Sequence, residues 1–245
     1  MDETLLQDEL EELQLDAAEQ VLKKLDPDSA TGPDLLPSRI LKRYASALST
    51  PLKILGDQII NEGRWPECWI LHWILPLHKR NATHDTDNYR GIHLTAQLSK
   101  AMERYVGKLF IPYVMTDRVV GKNQFAYREK RGARDLLALL VIKWLSGMEQ
   151  GKKFVVYCSD VSGAFDRVWR DRMRQKLEAK GLHPKVIRLI MSWLRDRIAT
   201  ILVSGEKSDP ITLANIVFQG TVWGPCLWDL FFEDARLFFF FFLHT

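Results

Sequence analysis

Cysteine is scarce in this sequence. Its 245 residues include only Cys68, Cys158 and Cys226, and no two of them form a CxxC pair. We therefore expect neither a disulfide framework nor a zinc site. The same scarcity favours a reducing compartment inside the cell, either nuclear or cytoplasmic.

Long apolar runs are also lacking. The N-terminus is acidic and amphipathic, which is unlike a signal peptide. An apolar patch near the end of the sequence runs from Leu237 to Leu243, about one third of the ~20 residues that a membrane helix needs. We expect no membrane partner, and we treat residues 237–245 as a Phe-rich tail that is unrelated to the fold.

Charge is nearly balanced over the chain but unevenly distributed. The formal net charge is +3, yet residues 1–30 hold ten Asp or Glu and only two Lys, so the remainder is basic by a net charge of +11. Hydrophobic residues make up 47% of the chain, which is enough for a substantial core. A basic body suits a polyanionic partner, although many basic proteins bind none.

The apolar spacing predicts mostly helices with strands between them. No regular βαβ alternation is present, which favours an α+β fold over a doubly wound parallel sheet. Helices are predicted over residues 5–26, 38–63, 92–115, 136–151, 166–181 and 184–197. Strands are predicted within residues 65–80 and over 154–158, and a hairpin over 198–214.

Asp160 is the first candidate for chemistry. It follows the apolar run Phe154 to Cys158, and an acid at the exit of a buried strand is held rigidly beside solvent. Such an acid suits a Mg²⁺ ligand or a general acid. The alternative is helix capping, by Asp160 or more readily by Asp166.

Two further stretches could contact phosphate. Gln219 and Gly220 follow an apolar run and open a predicted helix, where a glycine lets backbone approach a ligand closely. The spacing matches neither GxGxxG nor a P-loop, and an ordinary turn is the alternative. Lys79, Arg80 and Arg90 surround one polar loop, and such a group either grips phosphate or is simply solvated.

Six ordered blocks together resemble one family, the reverse transcriptases of non-LTR (LINE-type) retrotransposons. They read TGPDLLPSRILK, LPLHKRNATHDTDNYRGIHL, LSKAMERYVGKLF, NQFAYREKRGARD, SDVSGAFDRVW and FQGTVWGPCLW, and the resemblance covers roughly residues 20–236. It implies a fragment of a right-hand polymerase without a thumb. We expect N-terminal helices and fingers over residues 1–150 and an incomplete palm over 151–236, with 154–158 as a central palm strand.

The resemblance also implies roles for individual residues. Asp160, with the carbonyl of Val161, would bind Mg²⁺, and Phe165 would be the aromatic gate that crowds a ribose 2′-hydroxyl. The incoming dNTP would be held by Lys79, Arg90, Gln219 and Gly220. The implied partners are an RNA template and a DNA primer, with the template lying along Gln124, Arg128, Lys130 and Arg131.

The sequence departs from the family pattern in one major respect. The Tyr/Phe-Ala-Asp-Asp hairpin, which supplies further catalytic aspartates in the family, is missing from it. Glu233 and Asp234 lie too close to Gly224 to replace that hairpin. Smaller departures are Ile216 and Phe218, where the family usually has Gly and Pro, and Gly91, where it usually has Pro.

These departures lead us to expect a chain that does not polymerise alone. RNA-directed DNA synthesis would then be the activity of the family but not of this chain. The alternatives are a non-catalytic nucleic-acid-binding remnant, a hydrolase with Asp160 as nucleophile, or a degenerate element without function. The hydrolase is disfavoured because position 162, where the aspartyl-phosphate pattern has a second Asp, is Ser.

Overall fold

The computed structural model describes residues 10–214 and 217–234 of the chain. Its helices are α1 (Leu15–Lys23), α2 (Ser38–Arg43), α3 (Ala45–Glu62), α4 (Gln97–Gly107), α5 (Ile111–Val114), α6 (Ala133–Glu149), α7 (Arg170–Ala179), α8 (Pro184–Trp193) and α9 (Gly224–Phe232). Its strands are β1 (Leu71–His78), β2 (Tyr89–Thr95), β3 (Arg197–Val203), β4 (Glu206–Lys207) and β5 (Ile211–Leu213). The predicted α+β class is confirmed.

The strands form one mixed sheet. β1 is antiparallel to β2, with Trp73 opposite Leu94, and parallel to β3, with Trp73 opposite Thr200. The other edge of β3 pairs antiparallel with β5 near its start and with β4 near its end. Because β2 leads directly into α4, the sheet fixes where that helix begins.

Packed tryptophan rings occupy the centre of the helical core. The ring of Trp223, at the start of α9, lies 5.0 Å from that of Trp65 and 5.4 Å from that of Trp193 on α8. Phe110 meets Trp223 edge-on at 5.2 Å. Aromatic pairs in such geometries contribute beyond their buried area, so this cluster joins α8, α9 and the segment after α3.

Several sequence predictions are confirmed by these elements. The strand predicted within residues 65–80 is β1, and the hairpin predicted over 198–214 is formed by β3, β4 and β5. Pro184 occupies the first turn of α8, where its missing N–H costs nothing. Gly181, which ends the segment after α7, adopts a φ of 71°.

The helix predicted over residues 92–115 is wrong at its start. Residues 92–95 belong to β2, where Leu94 and its neighbours pair with β1. α4 begins only at Gln97, and Ala96 is its N-cap residue. Cross-strand pairing with β1 overrides the helical spacing of this stretch.

The strand predicted over residues 154–158 is also wrong. Residues 152–161 form neither strand nor helix, and Val155 and Tyr157 are 96% and 76% exposed. A strand needs a neighbouring backbone to pair with, and within the described residues no strand lies beside this segment. Asp160 is therefore not presented from a sheet here.

The predicted division of the chain into domains is not tested by the structure. The sheet combines strands from both sides of residue 150, and the division into fingers and palm stays a prediction. The Phe-rich stretch at 237–245 lies outside the described residues. Among the helices that are described, none is long and apolar enough to cross a membrane.

Replacing Trp65 with Ala should lower the free energy of unfolding by about 3–5 kcal/mol, because the ring is 0% exposed and its removal leaves a cavity. Chemical denaturation followed by circular dichroism measures the change. The matched control is Trp169→Ala, whose ring is 65% exposed and which should shift stability by less than about 0.5 kcal/mol. Equal losses in the two variants would contradict the packing of the tryptophan cluster.

Candidate functional site

A cleft of about 720 Å³ opens where β2, α4 and the turn before α9 meet. Arg90 of β2 lines one side, and Lys100 and Arg104 of α4 line another. The turn residues Gln219 and Gly220 close it. The remaining lining residues are Ser29, Gln97, Tyr127, Phe165, Thr221, Val222 and Pro225.

The loop after α1 forms part of the wall. The amide of Gln97 donates to the carbonyl of Ala30, which brings Ser29 to the cleft. A side chain on Gly32 would collide with the backbone of Thr95 at 2.4 Å, so only glycine lets the loop lie on the junction of β2 and α4. The loop and the cleft floor are thereby fixed to each other.

The Gln219–Gly220 turn is held against Phe165. The N–H of Val217 donates to the carbonyl of Phe165 at 2.9 Å, and the Phe165 ring stacks on Trp228 of α9. Gly220 adopts a φ of +83°, and a Cβ there would lie 3.1 Å from the carbonyl oxygen of His93. The backbone angle therefore strongly favours glycine, and a Cβ would in addition make a tight contact with His93.

One buried carboxylate anchors the end of this turn. Glu103 of α4 accepts hydrogen bonds from the backbone N–H of Val222 at 2.6 Å and of Trp223 at 3.4 Å. The indole N–H of Trp193 donates to its other oxygen at 3.2 Å. Burial raises the pKa of Glu103, an effect opposed by buried Arg197 and by these three N–H donors.

Buried polar side chains pack against Phe218, the residue just before the Gln219–Gly220 turn. The ring of Phe218 covers the Arg197 guanidinium at 4.5 Å and packs against His72 at 5.5 Å. Burial lowers the pKa of His72 to about 3 and that of His93 to about 4. The two imidazoles are therefore neutral near pH 7, and they share a hydrogen bond of 2.9 Å.

The cleft is positively charged. Within the described residues, the side chains of Arg90, Lys100 and Arg104 form no ion pair or hydrogen bond. Burial lowers the pKa of Lys100, although nearby Glu103 opposes this. Three cations that have no ion-pair partner among the described residues favour an anionic ligand, and guanidinium groups suit phosphate.

The structure brings together four of the residues that the resemblance assigns to nucleotide binding. Arg90, Phe165, Gln219 and Gly220 all line the cleft. Lys79 does not line it, and its ammonium donates to the carbonyl of Asp87 instead.

The predicted metal ligands also lie outside the cleft. Asp160 is exposed and Val161 half-buried, in the segment that forms no strand. Among residues 10–214 and 217–234, no group of three or more His, Cys, Asp or Glu side chains could hold a metal ion. Glu233 and Asp234 are engaged elsewhere, in ion pairs with Lys180 and Lys176. The residues present therefore do not fit a two-metal centre, which needs several carboxylates.

The segment predicted to follow the template is tied down by contacts within the chain. Arg128 and Arg131 both pair with Asp117, at 2.8 and 2.9 Å. Gln124 donates to Asp229 of α9 at 2.9 Å, whereas Lys130 is exposed. The assignment of these residues to the template stays a prediction.

Sequence reasoning missed several residues of this site, among them Lys100, Arg104, Tyr127 and Glu103. Lys100 and Arg104 could have been found, because a spacing of four places both on one face of a helix that follows a phosphate candidate. Tyr127 and Glu103 carried no such signal. Their roles depend on contacts with segments far away in the chain.

Comparison with known proteins identifies the family. Residues 77–236 match the family model described as reverse transcriptase (RNA-dependent DNA polymerase). The chain belongs to the reverse transcriptase family. The matched range includes β2, α4 and the turn before α9, and thus most of the cleft.

The similar curated proteins come from mobile elements. The chain is 31% identical over 222 residues to the RNA-directed DNA polymerase from mobile element jockey of Drosophila melanogaster, which covers 90% of this chain and 24% of the relative. The RNA-directed DNA polymerase from mobile element jockey of Drosophila funebris is 28% identical, again over 90% of this chain and 24% of the relative. The probable RNA-directed DNA polymerase from transposon BS of Drosophila melanogaster is 26% identical over 88% of this chain and 24% of the relative.

These relatives confirm the resemblance to non-LTR reverse transcriptases that the six sequence blocks indicated. The chain spans about a quarter of the length of the curated relatives it matches.

Asp229 should make the stability of the chain depend on pH. Burial raises its pKa from 3.8 to about 7, an effect opposed by the hydrogen bond from Gln124 and by Arg128. From about pH 4 to about pH 7, Asp229 therefore keeps its proton in the folded chain and loses it in the unfolded chain. The wild type should lose stability relative to Asp229→Asn as pH rises through this window.

Thermal unfolding of both proteins across that range measures the difference. The comparison with Asp229→Asn cancels the histidines, whose lowered pKa values act in the opposite direction. A constant difference between the two proteins at every pH would contradict the burial of Asp229.

Proposed function

We propose that this chain is the nucleotide-facing and template-facing part of an RNA-directed DNA polymerase. The observation that carries the proposal is the cleft in which Arg90, Phe165 and the Gln219–Gly220 turn meet. We further propose that the chain by itself binds dNTPs and nucleic acid without joining nucleotides. Its partners would be an RNA template and a DNA primer.

The residues of the cleft suggest how a dNTP is held. Among the described residues the guanidinium of Arg90 has no hydrogen-bond or ion-pair partner, so it can donate two parallel hydrogen bonds to a phosphate. Gly220 has no side chain, so the turn backbone can approach the nucleotide closely. Phe165 is half-buried and held by its backbone bond to Val217 and by its stack on Trp228, so its ring can act as a fixed steric limit beside the sugar.

Nucleotide joining is a separate matter from binding. We expect the complete enzyme to use Mg²⁺, which prefers carboxylate and phosphate oxygens. Asp160 and the carbonyl of Val161 would supply part of that site. Within the described part of the chain, Asp160 belongs to no group of three or more His, Cys, Asp or Glu side chains that could hold a metal ion, so we derive no metal-dependent step from these residues.

Arg90→Gln should weaken dTTP binding by about tenfold or more, because a hydrogen bond to a charged group is worth about 1.5–3 kcal/mol. Titration of the purified chain with dTTP, followed by intrinsic tryptophan fluorescence, measures the affinity. Arg80→Gln is the matched control, because Arg80 is exposed on the neighbouring loop and does not line the cleft. Equal effects of the two substitutions would contradict the assignment of Arg90.

Primer extension tests the other half of the proposal. With an RNA template, a DNA primer, dNTPs and Mg²⁺, the folded chain should bind the primed template and add no nucleotide. Incorporation that disappears in Asp160→Ala would contradict this, and it would show that the acid centre is completed. Failure to bind either dTTP or the primed template would contradict the proposed function as a whole.

A further inference from the structure

α6 carries an exposed apolar face on the part of the chain away from the cleft. Of the seventeen residues of this helix, only Gly147 is buried. Exposed apolar side chains recur along one face at helical spacing, namely Leu137, Val141, Leu145 and Met148. A surface helix normally buries such a stripe, and an exposed apolar patch of this kind marks a site of protein association.

The segment after α6 is attached to the helix where it begins. Gly151 turns the chain with a φ of +73°, and the N–H of Lys152 donates to the carbonyl of Gly147 at 2.9 Å. The Phe154 ring lies against Gly147, where a Cβ would collide with it. The start of the segment is therefore fixed relative to α6.

Residues 154–158 have the composition of a strand but lie beside no strand in the described part of the chain. Valine and aromatic residues favour β structure, yet residues 151–160 are all exposed, with Val155 at 96%. Within the described residues, the backbone groups of Phe154, Val155 and Val156 form no hydrogen bond. An unpaired apolar segment without proline is a template for pairing with another chain.

The apolar residues of this segment are complementary to themselves in the antiparallel direction. When Val156 lies opposite Val156 of a second copy, Phe154 lies opposite Cys158 and Val155 opposite Tyr157. The arrangement is twofold symmetric, so each of the last two pairs occurs twice. Pairs of β-branched and aromatic side chains across two strands stabilise a sheet.

The charges at the two ends of the segment fit the same register. Lys152 of each copy lies opposite Asp160 of the other, and opposite charges across two strands attract. A shift of two residues in one direction places Lys152 opposite Cys158, and a shift in the other places Asp160 opposite Phe154. Both shifts set a charge against an apolar side chain, so the pattern selects the register centred on Val156.

We propose that residues 152–160 pair with the same residues of a second copy of this chain, as an antiparallel ribbon with its twofold axis at Val156. Two strands alone are marginally stable in water, and a stable dimer buries about 800 Å² on each partner. The stripe on α6, to which Phe154 attaches the ribbon, supplies further apolar surface. The inference is independent of the dNTP site, because none of these residues lines the cleft.

Disulfide cross-linking tests the pairing and its register in the full chain with Cys68→Ser and Cys158→Ser. Val156→Cys should form a covalent dimer on mild oxidation, because the Cα atoms of opposite residues are about 4.5–5.5 Å apart. The matched control is Val155→Cys, whose counterpart in the second copy is displaced by two residues, too far for a disulfide. Non-reducing electrophoresis should show Val156→Cys reacting about tenfold faster or more. Random collisions would give the opposite order, because Val155 is more exposed than Val156.

Sedimentation velocity over a range of chain concentrations measures the dimer Kd. Lys152→Asp and Asp160→Lys should each raise this Kd by about tenfold, because each sets like charges opposite one another at two places. The chain with both substitutions restores opposite charges and should return close to the wild-type Kd. Val156→Lys should abolish the dimer, whereas Ile54→Lys, at an equally exposed apolar position on α3, should not. Circular dichroism checks that every variant is folded.

Each result either supports the ribbon or overturns it. Equal cross-linking rates for Val155→Cys and Val156→Cys would overturn the register and with it the pairing. Dimers that persist in Val156→Lys would do the same, because the contact would then lie elsewhere. A wild-type chain that is monomeric at its highest soluble concentration, or one that forms open-ended aggregates, would also overturn the proposal and leave this surface to a different partner.

Discussion

The carboxylate of Glu103 holds together the two sides of the cleft. It accepts a hydrogen bond of 2.6 Å from the N–H of Val222 and one of 3.2 Å from the indole N–H of Trp193. The backbone carbonyl of Glu103 accepts a further hydrogen bond from the indole N–H of Trp223. These contacts tie α4, α8 and the start of α9 at one buried point. A buried donor left without its acceptor costs about 1–3 kcal/mol, so the turn cannot move away from α4 without a large penalty.

This anchoring explains how one helix serves both the core and the cleft. Glu103 faces inward, whereas Lys100 and Arg104 face outward beside Arg90. Some other basic groups are paired within the chain, as Arg128 is with Asp117. The fields of the three cations in the cleft add to one another, and low-dielectric walls strengthen their attraction for phosphate.

The sequence predicted the parts of the site whose signals are local. The Gln219–Gly220 turn was readable because a glycine between an apolar run and a helix has few other uses. The strand expected before Asp160 was not formed, although its residues favour β structure, because pairing depends on a neighbour that composition cannot reveal. The role of Glu103 was equally hidden, since its partners lie about 120 residues further along the chain.

Amide hydrogen exchange at Val222 and Trp223 tests the central claim most directly. Resolved by NMR in the wild type and in Glu103→Ala, these two amides should be strongly protected in the first and exchange much faster in the second. Amides of β1 should keep their protection in both proteins if the fold survives. Equal protection of Val222 and Trp223 in the two proteins would show that the turn is held by something other than Glu103, and the account of the cleft would be wrong.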